Sequence, residues 1–281
     1  MNPTTKYPYP TITKKKALDD YNKLVDLDVR KYPRSNVGNK ALDLYFYKLR
    51  VKTIVGKWSH YSAWNDKTER KKILRSYRLL GYDNKEGYLD YLIRRTAEMR
   101  YGSINQFKPS IAKYIYYTYN PKTILDFSAG WGGRLLGAMS LNKNYIGIDS
   151  NIKLKKAYEN VIKNYKSNSK IKLIFKKSED VDFSKLKYDM VFTSPPYEFL
   201  EKYEGMKDYE DFYEEFLNPV ILKTFKYLDK GGTYLLNVPQ KMYLTKIKKL
   251  LGKYEKKILL KKSQRPGGRN YKEYIYVWTK I

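Results

Sequence analysis

The order of elements between residues 123 and 149 limits what this chain can fold into more than any other feature of the sequence. Residues 123–127 are mostly apolar and enter a glycine-rich turn at 128–133, and a helical pattern of apolar residues follows. A second apolar segment, 144–149, ends in Asp149. Glycines in such a turn allow positive φ and close approach of the backbone to a ligand, and an acid at the end of the second strand receives ribose hydroxyls in nucleotide-binding βαβ units. The sequence therefore predicts an α/β fold that binds a nucleotide.

The chain after residue 149 continues this alternation of strands and helices. A helix is predicted over 152–165, and Ser178-Glu179-Asp180 follows the third strand in a loop. The predicted strands, in chain order, are the apolar run that begins at 123, then 144–149, 171–175, 188–192 and 233–238, and two final strands near 256–262 and 271–279.

The fourth predicted strand leads into Ser194-Pro195-Pro196-Tyr197. Proline locks φ and has no N–H, so Pro195 and Pro196 leave carbonyl acceptors and no backbone donors there. A hydroxyl, these carbonyls and a flat ring at fixed positions suit a planar guest that carries an exocyclic NH2. From these residues alone, a Pro-Pro turn without a function is the alternative.

Together these segments resemble the S-adenosylmethionine-dependent amino-methyltransferases that modify exocyclic amines of nucleic-acid bases. The resemblance covers residues 104–281 and implies a Rossmann-like class I methyltransferase sheet of seven strands with helices on both faces. The residues that match the catalytic motif are Ser194, Pro195, Pro196 and Tyr197. The residues implied to bind S-adenosylmethionine are Phe107, Asp126, Ser128, Ala129, Gly130, Trp131, Gly132, Asp149, Ser150 and Asp180.

The resemblance also implies individual roles for these residues. Asp149 matches the acid that binds ribose, Asp180 the residue near the adenine amino group, and Phe107 the residue at the methionine end of the cofactor. Serine in the first catalytic position is commonest among enzymes that form N4-methylcytosine, so Ser194 favours N4 of cytosine over N6 of adenine as the target. In DNA the target base would have to leave the duplex to reach the pocket.

Two other functions stay open at this point. One is methylation of a base amine in RNA, and the other is a non-catalytic nucleic-acid-binding protein with a degenerate methyltransferase fold. Trp131 in the glycine turn, and Ser128-Ala129 before it, depart from the commoner form of the motif, which contains proline.

Composition favours a nucleic-acid partner and excludes several kinds of chemistry. The net charge of +28, from 57 basic and 29 acidic residues, attracts polyanions and so favours a nucleic acid, and the resemblance implies DNA rather than RNA. A bias towards Lys, Tyr and Asn is also typical of an AT-rich genome and suits a phage or a large DNA virus. The absence of cysteine excludes disulfides, cysteine zinc sites and the covalent cysteine adduct of cytosine C5-methylation. With His60 as the only histidine, we expect no metal site.

The sequence gives an expectation about location but none about oligomeric state. No apolar run approaches the ~20 residues of a membrane span, and residues 1–6 lack the apolar segment of a secretory signal. We therefore expect an intracellular protein that is not secreted, in the cytoplasm or, in a eukaryotic or viral host, in the nucleus.

Residues 1–100 show helical periodicity without a βαβ pattern, so we predict a basic helical region there and a methyltransferase domain over 101–281. Arg75 and Arg78 lie among aromatic residues, a mixture that suits binding of phosphates and bases. Arg265 and Arg269 lie in the loop that joins the last two strands, at the edge of the sheet where the catalytic motif is expected. We predict that these four arginines contact nucleic acid.

Overall fold

The computed structural model describes residues 6–54, 56–82, 89–102, 104–196, 209–260 and 273–281. The strands are β1 (Thr123–Asp126), β2 (Asn144–Asp149), β3 (Ile171–Phe175), β4 (Met190–Thr193), β5 (Thr233–Pro239), β6 (Lys256–Leu260) and β7 (Glu273–Thr279). The helices are α1 (Lys14–Asp26), α2 (Asn39–Arg50), α3 (His60–Asn65), α4 (Lys67–Leu79), α5 (Leu89–Tyr101), α6 (Pro109–Tyr119), α7 (Gly133–Met139), α8 (Lys155–Asn164), α9 (Asn218–Lys226), α10 (Gln240–Met242) and α11 (Lys248–Leu251).

The seven strands form one sheet in the order β3-β2-β1-β4-β5-β7-β6. β7 pairs antiparallel with β5 and β6, and the other neighbouring strands are parallel. The predicted Rossmann-like class I methyltransferase sheet is thereby confirmed. Because β1 and β4 are parallel neighbours, the glycine turn and the proline motif both begin at the carboxyl edge of the sheet.

Apolar side chains cover both faces of the sheet, as expected for mostly parallel strands. Ile124 and Phe192 belong to the core on one face, with helices α1, α2, α6, α7 and α8. Leu125 and Val191 belong to the core on the other face, with α9 and the segments around α10 and α11. The strands therefore have almost continuous apolar sequences instead of strict alternation, and this is why the sequence revealed them.

The start of β4 differs slightly from the prediction. Asp189 was expected within the strand, but β4 begins at Met190. The Asp189 carboxylate accepts hydrogen bonds from the backbone N–H groups of Lys122 (2.8 Å) and Thr123 (2.7 Å). This residue therefore fixes the beginning of β1 next to the beginning of β4.

The first hundred residues contribute to two different cores. Tyr21 of α1 and Phe46 of α2 are buried in the core on the sheet, on the side of α6 to α8. Trp64, Ile73 and Ile93, from α3, α4 and α5, belong to a separate third core. The predicted domain boundary at residue 100 stays a prediction.

Within the described part of the chain, no helix is both long enough and apolar enough to cross a membrane.

Candidate active site

The turn between β1 and α7 has the backbone conformation that its glycines permit. Gly130 has φ +58° and Gly132 has φ +76°, values in the left-handed region that favours glycine. The backbone N–H of Gly130 donates to Asp149 Oδ2 (2.7 Å), and the Gly130 carbonyl accepts from the Tyr158 hydroxyl (2.9 Å). These contacts hold the turn directly over the end of β2.

The segment with Phe107 lies against this turn. A Cβ at Gly133 would lie 1.9 Å from the Phe107 carbonyl oxygen, so only glycine permits this approach. The Phe107 ring packs edge-on against Phe192 of β4, with 5.4 Å between ring centroids. Three segments that are distant in the sequence, around residues 107, 130 and 192, therefore meet at one place.

Asp126, at the end of β1, lies completely buried beneath the turn. Its Oδ2 accepts from Arg134 Nε (2.7 Å) and from the Tyr145 hydroxyl (2.6 Å). Its Oδ1 accepts from the Thr193 hydroxyl (2.8 Å) and weakly from the backbone N–H of Ser128 (3.3 Å). Since protein donors occupy both oxygens, the position of Asp126 suits support of the turn more than direct contact with a ligand.

Arg134 is buried and joins three parts of the site. Besides its ion pair with Asp126, its guanidinium donates to the Ser128 carbonyl (2.5 Å) and lies 5.3 Å from the centroid of the Phe107 ring. Burial opposes the positive charge, but the Asp126 carboxylate outweighs it and raises the pKa of Arg134 above its ordinary value. The sequence reasoning missed Arg134 and Thr193. Arg134 could have been found from its position, because it is a charged residue directly after two glycines in an otherwise apolar helix.

The carboxylate of Asp149 lies at the end of β2, where the sequence predicts the ribose-binding acid. Its Oδ1 accepts from the backbone N–H of Asn151 (2.9 Å), in addition to the contact between Oδ2 and Gly130. Burial raises the pKa of Asp149 to about 6, although both of these hydrogen bonds lower it. The neighbouring Ser150 is half-buried.

The turn Ser178–Asp180 lies beside the glycine turn, because the Ser178 hydroxyl donates to the Phe127 carbonyl (2.5 Å). Asp180 is exposed, whereas the Glu179 carboxylate accepts from the Tyr209 hydroxyl (2.7 Å) through Oε1. The other oxygen of Glu179, Oε2, is buried without a hydrogen-bond partner among the described residues. Glu179 is therefore an acceptor that the sequence reasoning did not select.

The proline motif follows directly on β4. Ser194 and Pro196 are half-buried and Pro195 is buried, and the preceding Thr193 is bonded to Asp126. Tyr197 lies outside the described residues, so its place in the catalytic motif stays a prediction.

Two of the four predicted nucleic-acid-binding arginines are described. Arg75 and Arg78 are exposed on α4 and line a surface groove of about 290 Å³ with Lys71, Leu74 and Leu79. Arg265 and Arg269 lie outside the described residues.

This sheet, with its glycine turn and its acid after β2, defines a class I methyltransferase that uses S-adenosylmethionine. The model of a family described as RNA cap guanine-N2 methyltransferase matches residues 121–279. The chain belongs to this family. The matched residues include the glycine turn, Asp149 and the proline motif.

Several solved structures are similar to parts of this chain. TrmN from Thermus thermophilus is 15% identical over 62% of this chain and 49% of its own, with a TM-score of 0.45. TehB from Haemophilus influenzae is 13% identical over 66% of this chain and 65% of its own, also with a TM-score of 0.45. The 16S rRNA N2 methyltransferase RsmC of T. thermophilus, in complex with AdoMet and guanosine, is 16% identical over 63% of this chain and 44% of its own, with a TM-score of 0.41.

The chain thus spans about half of TrmN and just under two thirds of TehB. No curated protein sequence matches this chain.

Proposed function

We propose that this protein transfers a methyl group from S-adenosylmethionine to the N2 amine of guanine in the cap of an RNA. The observation that carries this proposal is the family match over residues 121–279, which contains the acceptor motif and the cofactor turn. The match favours RNA, the alternative left open by the sequence, over the DNA cytosine that Ser194 favours. Guanine N2 is an exocyclic amine of a planar base, as cytosine N4 is, so the same acceptors suit either.

The residues at the carboxyl edge fit S-adenosylmethionine. In our proposal the backbone of Ser128, Ala129, Gly130, Trp131 and Gly132 borders the cofactor. Asp149 accepts its ribose hydroxyls next to Ser150, and Phe107 covers its methionine end. Bound there, the cofactor supplies an electrophilic methyl group on a sulfonium.

The adenine amino group has two candidate acceptors. Asp180 matches the family motif, but it is exposed. The adjacent Glu179 has a buried oxygen without a partner among the described residues, and a buried acceptor in this state costs free energy until a donor reaches it. We therefore assign Glu179 to the adenine amino group together with Asp180.

The acceptor side of the reaction is assigned to the proline motif. The lone pair of a base amine is delocalised into the ring, so the amine is a weak nucleophile. Ser194 Oγ and the Pro195 carbonyl would accept its two N–H bonds, with Pro196 keeping the backbone rigid and Tyr197 stacking on the base. Acceptors that are already in place would stabilise the positive charge that develops on nitrogen, and fixed orientation would add to the rate enhancement. As the bond between nitrogen and the methyl carbon formed, the bond between that carbon and sulfur would break and leave a neutral thioether, and the nitrogen would lose a proton to water.

The test is methyl transfer from labelled cofactor to capped RNA, the same RNA without a cap, and duplex DNA, with mass spectrometry of the product nucleosides. We expect N2-methylguanosine from capped RNA, and a loss of turnover of about a hundredfold or more for Ser194→Ala with unchanged cofactor affinity. N4-methylcytosine or N6-methyladenine from DNA would contradict the proposal. Failure to bind S-adenosylmethionine in calorimetry would favour the non-catalytic alternative.

A further inference from the structure

The loop between α1 and α2, residues 27–38, exposes basic and aromatic side chains together. Lys31, Tyr32 and Arg34 are all exposed, and 63% of the Tyr32 surface is accessible to solvent. A shallow cavity of about 390 Å³ is lined by Leu27, Lys31, Tyr32, Pro33, Arg34 and Ser35. Exposed aromatic rings beside cations are typical of surfaces that bind single-stranded nucleic acid.

This loop lies at the edge of the sheet that holds the active site. The Arg34 guanidinium donates to the carbonyl of Leu259, next to the last residue of β6. Since β5 and β6 are both antiparallel to β7, β6 ends at the same edge as β5 and the other parallel strands.

A second contact joins the loop to the cofactor turn. Lys108 Nζ donates to the Arg34 carbonyl (3.4 Å), and Lys108 directly follows Phe107. The Phe107 backbone in turn lies against Gly133, at the beginning of α7. The loop is therefore connected to the glycine turn through the segment Phe107-Lys108.

Buried polar contacts hold the loop in place. Lys113 Nζ donates to the carbonyls of Leu24 (2.8 Å), Val25 (2.7 Å) and Leu27 (3.0 Å), which closes the end of α1. The Ser110 hydroxyl donates to the Ser35 carbonyl (2.7 Å) at the other end of the loop. A loop fixed in this way loses little conformational entropy when it binds a ligand.

We propose that the α1–α2 loop binds the RNA strand that continues from the methylated guanine, with Lys31 and Arg34 on phosphates and Tyr32 stacked on a base. This inference rests on the proposed function for the nature of the substrate. Arg30, in the same loop, is paired with Asp28 (2.9 Å), so Lys31 and Arg34 are the cations assigned to phosphate.

The groove on α4 is the competing surface. Lys71, Arg75 and Arg78 supply positive charge there, but among the described residues the rest of its lining is Leu74 and Leu79, without an aromatic ring. α4 packs on α3 and α5, in the third core, whereas the α1–α2 loop contacts elements of the active-site edge.

The first measurement is the affinity for fluorescent capped single-stranded RNA as a function of salt. For Lys31→Gln/Arg34→Gln we expect about tenfold weaker binding and a slope of log affinity against log salt that is about 1.4 smaller, since each phosphate contact contributes about 0.7. Arg34→Gln also removes the hydrogen bond to the Leu259 carbonyl, but Arg34 is exposed, so we expect the fold to be retained, and circular dichroism checks this. For Tyr32→Ala we expect about fivefold weaker binding with the salt slope unchanged, while Tyr32→Phe binds normally.

The matched control is Lys248→Gln/Lys249→Gln, which removes two exposed charges from α11. If the loop variant binds RNA as this control does, or if Arg75→Gln/Arg78→Gln alone weakens binding, the proposal for the loop is overturned.

The second measurement separates this proposal from the proposed function. The loop variant should methylate a cap dinucleotide with the kcat and KM of the wild type, and its KM should rise by about tenfold only for longer capped RNA. If the wild type methylates no cap guanine while the loop variant still loses RNA affinity, the proposed function fails and the loop assignment stands.

Discussion

The first two helices and the next three look alike in sequence but have different places in the fold. All five belong to the basic, helical first hundred residues. α1 and α2 bury Tyr21 and Phe46 against the helices that cover the sheet, and the Phe46 ring of α2 lies against Gly132 of the glycine turn. α3, α4 and α5 bury their apolar residues against one another around Trp64. An amphipathic pattern shows that a helix buries one face, but it does not show what lies against that face.

This contrast predicts that α1 and α2 support the glycine turn and belong to the methyltransferase domain. Substitutions that destabilise α3, α4 and α5 should affect cofactor binding less. The core on the sheet and the third core meet at α2, because Phe46 belongs to the first of these, whereas Tyr47 and Val51 belong to the second. Four predictions test this division, from the largest expected effect to the smallest.

Arg134→Met should destabilise the protein by about 4 kcal/mol, because it leaves the buried Asp126 carboxylate without its cation. Cofactor affinity should fall as well, since the Ser128 carbonyl and the Phe107 ring lose the guanidinium. Denaturant unfolding and calorimetry with S-adenosylmethionine measure the two effects. Asp126→Asn/Arg134→Met should recover part of the stability but not the affinity; a single variant as stable as the wild type would show that the ion pair does not support the turn.

Phe46→Ala and Trp64→Ala should each cost about 3 kcal/mol, because both side chains are almost completely buried. Their effects on the site should differ. A Cβ at Gly132 would lie 3.1 Å from the Phe46 ring, so Phe46 supports the turn, and its removal should also weaken cofactor binding. Trp64→Ala should leave the affinity of the folded fraction unchanged, and equal losses of affinity in both variants would refute the division.

The affinity for S-adenosylmethionine should fall as the pH drops below about 6, where the Asp149 carboxylate becomes protonated, approaching tenfold per pH unit. The effect on folding has the opposite sign. Because burial raises the pKa of Asp149, its contribution to stability is present at low pH and is lost as the pH rises through 6. Calorimetry across this range measures the affinity, and in Asp149→Asn the pH dependence should disappear.

Lys72→Ala, in the third core's helix α4, should change stability by less than about 1 kcal/mol. Its ion pair with Glu69 (2.6 Å) is partly exposed, and such pairs contribute little. This variant is the counterpart of Arg134→Met, because it also removes the cation of an ion pair, but in a region away from the glycine turn. Thermal unfolding at low and high salt is the measurement, and a loss of several kcal/mol would mean that this helix is more tightly held than its exposure indicates.

Many strands and helices of the methyltransferase sheet could be predicted from the local sequence. β3 was predicted with its observed bounds, and helix α8 lies within the predicted helix of residues 152–165. Strands buried on both faces are apolar throughout, so an apolar run predicts such a strand well. A glycine turn followed by a strand that ends in an acid is typical of nucleotide-binding βαβ units. The roles assigned to the individual site residues stay predictions.

The support beneath the site could not be predicted in this way. The cofactor-binding role of Asp126 stays a prediction, and the structure adds that its oxygens accept hydrogen bonds from Arg134, Tyr145 and Thr193, which come from three different elements. No spacing in the sequence indicates such a cluster, because each partner is brought in by the pairing of strands and the packing of α7.

The sequence by itself determined the fold class and the positions of most strands along the chain, because turns, helices and strands depend on backbone geometry and on the pattern of apolar residues that are close in the chain. Only the tertiary structure decided which helices complete that edge, that a buried arginine joins its parts, and that the α1–α2 loop lies beside it. Those outcomes depend on contacts between residues far apart in the chain, whose free energies appear only once the sheet has formed.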